Sequence, residues 1–168
     1  MDSKKMFHSG ISFQDFVNMD EDSYKEKTLE VFNSIDFSDE FVERIKSIDK
    51  NIKILICAEI WCPDCMINVP VVEKMKKMNN KIEISIVNRE GNEDFFKKFS
   101  KDEKVKIPTF IFYDEEFNLL GTFIERPRIV KEVYRTGNQT NIIVTMRKYR
   151  KGEYIEETLK DILDVLKY

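Results

Sequence analysis

Two stretches in the first fifty residues carry apolar positions at helical spacing. These positions are Tyr24, Thr28, Leu29, Phe32 and Ile35 in the first stretch, and Phe37, Phe41, Ile45 and Ile48 in the second. They predict helices over residues 23–34 and about 37–48. Ser38 can cap the second helix, and Phe37 can pack across to Val42. We therefore expect two short helices before residue 50 and a frayed terminus around His8.

A strand, a helix and a second strand follow in that order. Residues 52–60, IKILICAEI, are β-branched and apolar, too short for a helix, and predict a central strand buried on both faces. The pattern then predicts a helix from Cys62 to about Met78 and a strand over residues 81–88. Such an arrangement gives a right-handed parallel crossover.

The pattern changes again after a short predicted helix over residues 93–100. Strand patterns over residues 109–113 and 118–124 flank an acidic turn and predict a hairpin. Helical spacing returns from residue 126 to the end of the chain. The sequence thus predicts an α/β fold with a mixed central sheet, helices on its faces, and helical extensions at both ends.

Composition narrows the class of protein. The chain has 168 residues, 42% hydrophobic and 35% charged, which is typical of a single globular domain. Its net charge is −3 with both signs well mixed, so neither nucleic acid nor an anionic membrane is an expected partner. No apolar run approaches the ~18 residues of a membrane span, and none follows the N-terminal lysines as a signal peptide requires. We predict a cytoplasmic protein.

The pair Cys62 and Cys65 is the candidate reactive site. Cys62 stands where the buried strand ends and a helix begins, so helix N–H groups and the helix dipole favour its thiolate. Cys65 lies one turn further in and can attack a mixed disulfide formed on Cys62. We predict that Cys62 attacks and Cys65 resolves, with Cys57 a buried apolar residue in the strand.

Other resident groups are not expected. Structural zinc normally takes four cysteine or histidine ligands, whereas this chain has three cysteines and one distant histidine. No glycine-rich phosphate loop suggests a nucleotide or flavin. The only redox group we predict is the Cys62–Cys65 disulfide itself.

The site resembles that of the thioredoxin family over about residues 50–125. A buried strand, Trp61 with the two cysteines, Pro70 within the helix, and the downstream residues Ile107, Pro108 and Thr109 match the family in order and spacing. The resemblance implies a thioredoxin fold over residues 1–168, with a helical extension at 1–50, a core at 51–125 and C-terminal helices at 126–168. It also implies that Pro108 is cis beside the disulfide and that the backbone of Ile107 binds a substrate chain.

Two departures from the family affect the expected chemistry. Pro63 and Asp64 between the cysteines resemble small cytosolic thioredoxin-related proteins that reduce low-molecular-weight and selected protein disulfides. A carboxylate beside Cys62 raises the thiol pKa and favours a reductant over an oxidase. Where thioredoxins have a buried acid in the preceding strand, this chain has Ile56. Glu59 can replace that acid as proton acceptor for Cys65, or it can be an ordinary solvated carboxylate.

The predicted topology brings further charges to the cysteines. The second hairpin strand returns to their end of the sheet and delivers Glu125 and Arg126, while the loop after the second parallel strand delivers Arg89. We predict that Arg126 or Arg89 borders the Cys62 thiolate, offsets Asp64 and selects acidic disulfide substrates. The alternative is that these are solvated loop charges.

Two functions are consistent with the sequence. The first is a cytosolic thiol–disulfide reductase that acts on protein or small-molecule disulfides and is recharged by a reductase or a low-molecular-weight thiol. The second is a redox-sensitive protein-binding module without significant turnover. The combination of Trp61, Cys62, Cys65 and Pro108 favours the enzyme.

Overall fold

A four-stranded mixed sheet forms the centre of the computed structural model, which describes residues 2–100 and 104–168. The strands are β1 (Ile52–Cys57), β2 (Ile82–Val87), β3 (Thr109–Tyr113) and β4 (Leu119–Ile124). Their order is β2-β1-β3-β4, with β1 parallel to β2 and antiparallel to β3, and β3 antiparallel to β4. The predicted mixed sheet, crossover and hairpin are confirmed.

Helices occupy most of the remaining chain. They are α1 (Ser3–Ser9), α2 (Phe13–Val17), α3 (Ser23–Ser34), α4 (Asp39–Lys46), α5 (Pro63–Met78), α6 (Glu93–Phe96), α7 (Arg128–Arg135), α8 (Gln139–Arg150) and α9 (Ile155–Leu166). A 3₁₀ turn, Lys97–Phe99, continues α6, and α5 runs through Pro70 as one helix. The predicted helical extensions are therefore present at both ends.

The prediction for the N-terminus was wrong. Within residues 2–49 the structure has four helices, not two, and α1 and α2 flank a short segment that pairs with the outer strand β2. Ile11 and Ile86 exchange backbone hydrogen bonds of 2.8 and 3.0 Å, which partly covers the free side of β2. A Cβ at Gly10 would lie 2.8 Å from the Ile86 carbonyl oxygen, so glycine permits this approach. Helices of seven and five residues have too few turns for a periodic signal.

The start of α4 also differs from the prediction. Ser38 occupies the N-cap position, but its side chain makes no capping hydrogen bond. Its backbone N–H instead donates to a carboxylate oxygen of Glu156 at 2.7 Å. A tertiary contact with α9 thus replaces the local cap.

The hydrophobic core lies around β1, α5 and α9. Ile54, Leu55 and Ile56 in β1 are fully buried, as predicted for a central strand. Helices α5 and α9 contact each other, and they also contact β2 and β4 respectively, so both lie on one face of the sheet. Each large apolar side chain buried there contributes roughly 1.5–3 kcal/mol of transfer free energy.

Strand directions bring four loops to one end of the sheet. In the observed register, Cys57 at the end of β1 lies beside Val87 at the end of β2 and Thr109 at the start of β3. Thr109 in turn pairs with Ile124 at the end of β4. The loops that carry the predicted site residues therefore meet at this end.

Candidate active site

Cys62 and Cys65 lie in the first turn of α5. Cys62 is the N-cap residue with an extended backbone, and Pro63 begins the helix, where its fixed φ and missing N–H suit the first position. The two cysteines approach each other to 3.3 Å, and both are free thiols. Cys62 retains 5% exposure whereas Cys65 is fully buried. Cys62 is thus the more accessible sulfur.

The surroundings of Cys62 lower its pKa to about 7. The largest cause is a hydrogen bond from the Cys65 thiol, and the backbone N–H groups of Cys65 and Asp64 add to it. Burial opposes these hydrogen bonds, and the Asp64 charge acts in the predicted direction but is the smallest of the causes. The start of the helix therefore stabilises a thiolate despite the carboxylate beside it.

The other two cysteines have raised pKa values. Burial raises the pKa of Cys65 well above the ordinary range, and its hydrogen bond to Cys62 raises it further. Burial likewise raises the pKa of Cys57 to about 12, with the Glu59 charge as the second cause. Only Cys62 is poised to ionise near neutral pH.

Alkylation of the reduced protein measures this difference. Modification of Cys62 by iodoacetamide is expected to rise about tenfold per pH unit below pH 7 and to level off above about pH 8, because the thiolate is the reactive form. The rate is followed by mass spectrometry, with Cys62→Ser as the control for background labelling. A midpoint near about 8.5, the value of a free cysteine, would contradict the geometry.

The loop before β3 lies directly against Cys62. The Ile107–Pro108 peptide bond is cis, as the resemblance implies. The Cys62 thiol donates to the Ile107 carbonyl oxygen at 3.7 Å. Behind this loop, the Glu125 N–H donates to the Pro108 carbonyl at 2.7 Å, which joins it to the loop after β4. The binding of a substrate chain by the Ile107 backbone stays a prediction.

Trp61, Glu59 and Arg89 form one side of the site. The Trp61 ring is 48% exposed, and the Arg89 guanidinium lies 5.8 Å from its centroid. The Glu59 carboxylate accepts a 2.9 Å hydrogen bond from the Arg89 backbone N–H, joining the loops after β1 and β2. Glu59 thus has a structural partner, and its role as proton acceptor stays a prediction.

Asp64 is bound by two arginines, one more than the sequence predicted. The residue is only 6% exposed, and its carboxylate pairs with Arg126 and Arg150. The Arg126 Nε lies 3.2 Å from both oxygens and its terminal nitrogen 3.0 Å from one, while Arg150 donates at 2.7 Å. Arg126 therefore contacts Asp64, the carboxylate that it was predicted to offset. Glu125 lies 3.7 Å from both Arg126 and Lys106. Substrate selection by these charges stays a prediction.

A buried polar network beneath Asp64 was not predicted. The Asn68 amide nitrogen donates to the Asp64 and Glu125 carbonyls, each at 3.0 Å, and to the Tyr149 hydroxyl at 2.6 Å. The Asn68 carbonyl oxygen accepts from the Thr158 hydroxyl at 2.8 Å. An amide within the apolar run of α5 was the available signal, because buried polar groups require partners. Its partners on α8 and α9 have no local pattern.

Most of the chain matches the model of a known protein family. A family model described as thioredoxin matches residues 10–143. The chain belongs to the thioredoxin family. The match extends well beyond the region of about residues 50–125 on which the resemblance was based.

Solved structures resemble this thioredoxin-family chain along nearly its whole length. A protein of unknown function from Pseudomonas aeruginosa is 26% identical, with a TM-score of 0.89 over 99% of this chain and 98% of that one. An HIV epitope scaffold is also 26% identical, with a TM-score of 0.88 over the same shares. No curated protein matches the chain significantly. The thioredoxin fold is confirmed, and the helical extensions belong to an architecture shared with these structures.

Two kinds of feature are absent from the part of the chain that the structure describes. Across residues 2–100 and 104–168, no three His, Cys, Asp or Glu side chains are grouped to hold a metal ion. Within the same ranges, no helix of this thioredoxin-family chain combines the length and apolar character needed to cross a membrane.

Proposed function

We propose that the protein is a thiol–disulfide oxidoreductase that reduces protein or small-molecule disulfides by a dithiol mechanism. One observation carries the proposal: two thiols that approach to 3.3 Å have pKa values shifted in opposite directions, with Cys62 at about 7 and Cys65 well above its ordinary value. A nucleophile ionised at neutral pH and a resolving thiol kept protonated beside it are what sequential attack requires.

The reaction proceeds in two exchanges. The Cys62 thiolate attacks one sulfur of the substrate disulfide, which forms a mixed disulfide and releases the other sulfur as a thiolate. Cys65 then loses its proton and attacks the Cys62 sulfur, which forms the Cys62–Cys65 disulfide and releases the second substrate thiolate. The substrate gains two electrons, and its two thiolates become thiols with one proton from Cys65 and one from solvent.

The timing of proton loss from Cys65 follows from the same geometry. While Cys62 is a thiolate, it accepts the Cys65 proton in a hydrogen bond, and this contributes to the raised pKa of Cys65. Formation of the mixed disulfide removes that charge and the pKa of Cys65 falls. The departing substrate thiolate can accept the proton of Cys65, so the reaction can proceed although Ile56 replaces the family's buried acid.

The catalytic cycle requires an external electron donor. A reductase or a low-molecular-weight thiol must return two electrons and two protons to the Cys62–Cys65 disulfide, which is the only redox group that the proposal uses. We place the protein in the cytoplasm because a low cysteine count and a dithiol pair suit a reducing compartment.

The binding-module alternative is supported by exposed apolar side chains outside the cysteine site. Ile143 and Val144 on α8 are 64% and 50% exposed, and Tyr134 on α7 is also exposed. Such residues can contact a partner protein. A module of this kind requires no turnover, so a disulfide-reduction assay on the wild type and on Cys62→Ser distinguishes the two functions.

The midpoint potential tests the proposal. The protein is equilibrated in defined thiol/disulfide buffers, and alkylatable Cys62 and Cys65 are counted by mass spectrometry. A reversible two-electron midpoint at or below about −230 mV is expected for a reductant. A midpoint above about −180 mV would indicate an isomerase or oxidant. No turnover by either the wild type or Cys62→Ser in a disulfide-reduction assay would favour the binding module.

A further inference from the structure

Asp64 presents an electrostatic problem for the proposed reductase. It lies between the two cysteines in sequence, and burial leaves 6% of it exposed. A buried carboxylate is unfavourable unless it is paired and hydrogen-bonded, and a carboxylate next to a thiolate opposes its ionisation. Something in the fold must compensate for this charge.

Arg126 and Arg150 provide the compensation from distant parts of the chain. Arg126 follows β4 and donates hydrogen bonds to both carboxylate oxygens of Asp64, at 3.0 to 3.2 Å. Arg150 is the last residue of α8 and donates to one oxygen at 2.7 Å. We call Asp64, Arg126 and Arg150 the Asp64 cluster. Its formal charge is +1, where Asp64 alone would contribute −1.

Polar contacts position the cluster around the carboxylate. Tyr149, next to Arg150, is fully buried and its hydroxyl accepts a hydrogen bond from Asn68, one turn after Asp64 on α5. Burial and then the Asp64 charge raise the pKa of Tyr149, so the hydroxyl stays neutral beside the carboxylate. The end of α8 is thereby held against the start of α5.

We propose that Arg126 and Arg150 are positioning residues of the dithiol site, which hold Asp64 in place and cancel its charge so that Cys62 ionises beside it. This inference rests on the proposed function. It assigns to α8, in the C-terminal extension, a role in setting the redox properties of cysteines 85 to 88 residues away in sequence. Neither arginine touches the reacting sulfurs in this role.

Other charges at this end of the sheet are already paired. Glu125 lies 3.7 Å from Lys106, and the Glu59 carboxylate accepts the Arg89 N–H. Arg89 lies over Trp61. Substitution of Asp64 or Arg150 therefore changes the field at Cys62 without removing these contacts, whereas substitution of Arg126 would also remove its 3.7 Å contact with Glu125.

Opposite substitutions test the inference. Arg150→Gln lowers the formal charge of the Asp64 cluster from +1 to 0 and is expected to raise the pKa of Cys62, with a loss of ionisation of roughly threefold to tenfold. Asp64→Asn removes the negative charge and leaves two cations, so it is expected to lower the pKa. The midpoint potential, measured near pH 9 where the wild-type Cys62 is ionised, should fall for Arg150→Gln and rise for Asp64→Asn. A tenfold change corresponds to about 30 mV.

Matched variants separate charge from structure. Arg150→Lys keeps the cation and is expected to stay near the wild-type potential. Arg147→Gln removes an exposed cation from the same last turn of α8 and is expected to leave both the potential and the pKa unchanged. The double variant Asp64→Asn with Arg150→Gln should return toward the wild type, because the two charge changes oppose each other.

The outcomes are distinct from those for the proposed function. Absence of a reversible midpoint in the wild-type protein would overturn the proposed function and this inference with it. A normal wild-type midpoint that Arg150→Gln and Arg147→Gln change equally, or that Arg150→Gln does not change, would overturn only the inference. Shifts of the same sign for Arg150→Gln and Asp64→Asn would also overturn it. If Asp64→Asn does not fold, comparison of Arg150→Gln with Arg147→Gln still tests the inference.

Discussion

Replacement of Cys62 by serine is expected to abolish disulfide reduction, with a loss of at least about a thousandfold in kcat/KM. A serine hydroxyl is not ionised at neutral pH, so the hydrogen bonds at the start of α5 have no thiolate to stabilise. Reduction of a small aromatic disulfide, followed by the absorbance of the released thiolate, measures the effect in the presence of excess donor thiol.

The Cys65→Ser variant should fail at a different step. Attack by Cys62 remains, but the mixed disulfide has no resolving thiol and is expected to persist at a stoichiometry of about one per chain. Mass spectrometry of the intact protein detects it as an adduct of the substrate mass. Trapping on Cys62 would distinguish the enzyme from a binding module, which forms no covalent adduct.

Cys57 offers a matched control. It is fully buried in β1, and its pKa is raised to about 12, so Cys57→Ala is expected to retain wild-type turnover. The assignment of roles would be wrong if Cys62→Ser kept its activity, or if Cys57→Ala lost activity as completely as Cys62→Ser while remaining folded.

Replacement of Asn68 by leucine is expected to lower the free energy of unfolding by about 3 kcal/mol. The amide is fully buried and satisfies the Tyr149 and Thr158 hydroxyls and the Glu125 carbonyl. Leucine has the same branched arrangement of heavy atoms but leaves these three groups without that partner, and each unsatisfied buried group costs about 1–3 kcal/mol before relaxation. Urea unfolding followed by circular dichroism measures the change.

Two control variants show how large the stability loss of Asn68→Leu is relative to an exposed substitution and to the loss of one hydroxyl. Asn141→Leu makes the same substitution at an exposed position on α8 and is expected to change stability by less than about 0.5 kcal/mol. Tyr149→Phe removes a single hydroxyl from the network and should cost about 1 kcal/mol. A loss for Asn68→Leu no larger than that for Asn141→Leu would show that the network does not stabilise the fold.

Most of the sheet could be predicted because its strands have local signatures. The runs that became β1 and β3 are apolar and β-branched, and the predicted bounds of β3 match the structure, whereas β1 ends at Cys57, three residues earlier than predicted. Helices α3, α5 and α9 have enough turns for the spacing of apolar side chains to be recognised. The helices α1 and α2 do not, and they form because they pack against β2.

The residues of the candidate site also differ in whether their neighbours in sequence reveal them. Cys62, Cys65 and Pro108 could be selected from the sequence because each belongs to a short motif at the end of a predicted strand. Arg126 was placed at the correct end of the sheet by topology, and its contact with Asp64 agrees with the predicted offset of that charge. Arg150 is one of several basic residues near the end of α8, and nothing in its neighbours distinguishes it.

By itself, the sequence determined the elements of the sheet, the helix that carries the cysteine pair, and the sulfur that is nearer to solvent. These features depend on the chemistry of neighbouring residues and on the direction of the chain. The tertiary structure was needed to show that Arg150 also pairs with Asp64 and that the hydrogen bonds of Asn68 are satisfied. Their partners on other elements are 57 to 90 residues away in sequence, and a buried charge or amide is stabilised by whichever groups the fold brings within about 3 Å of it.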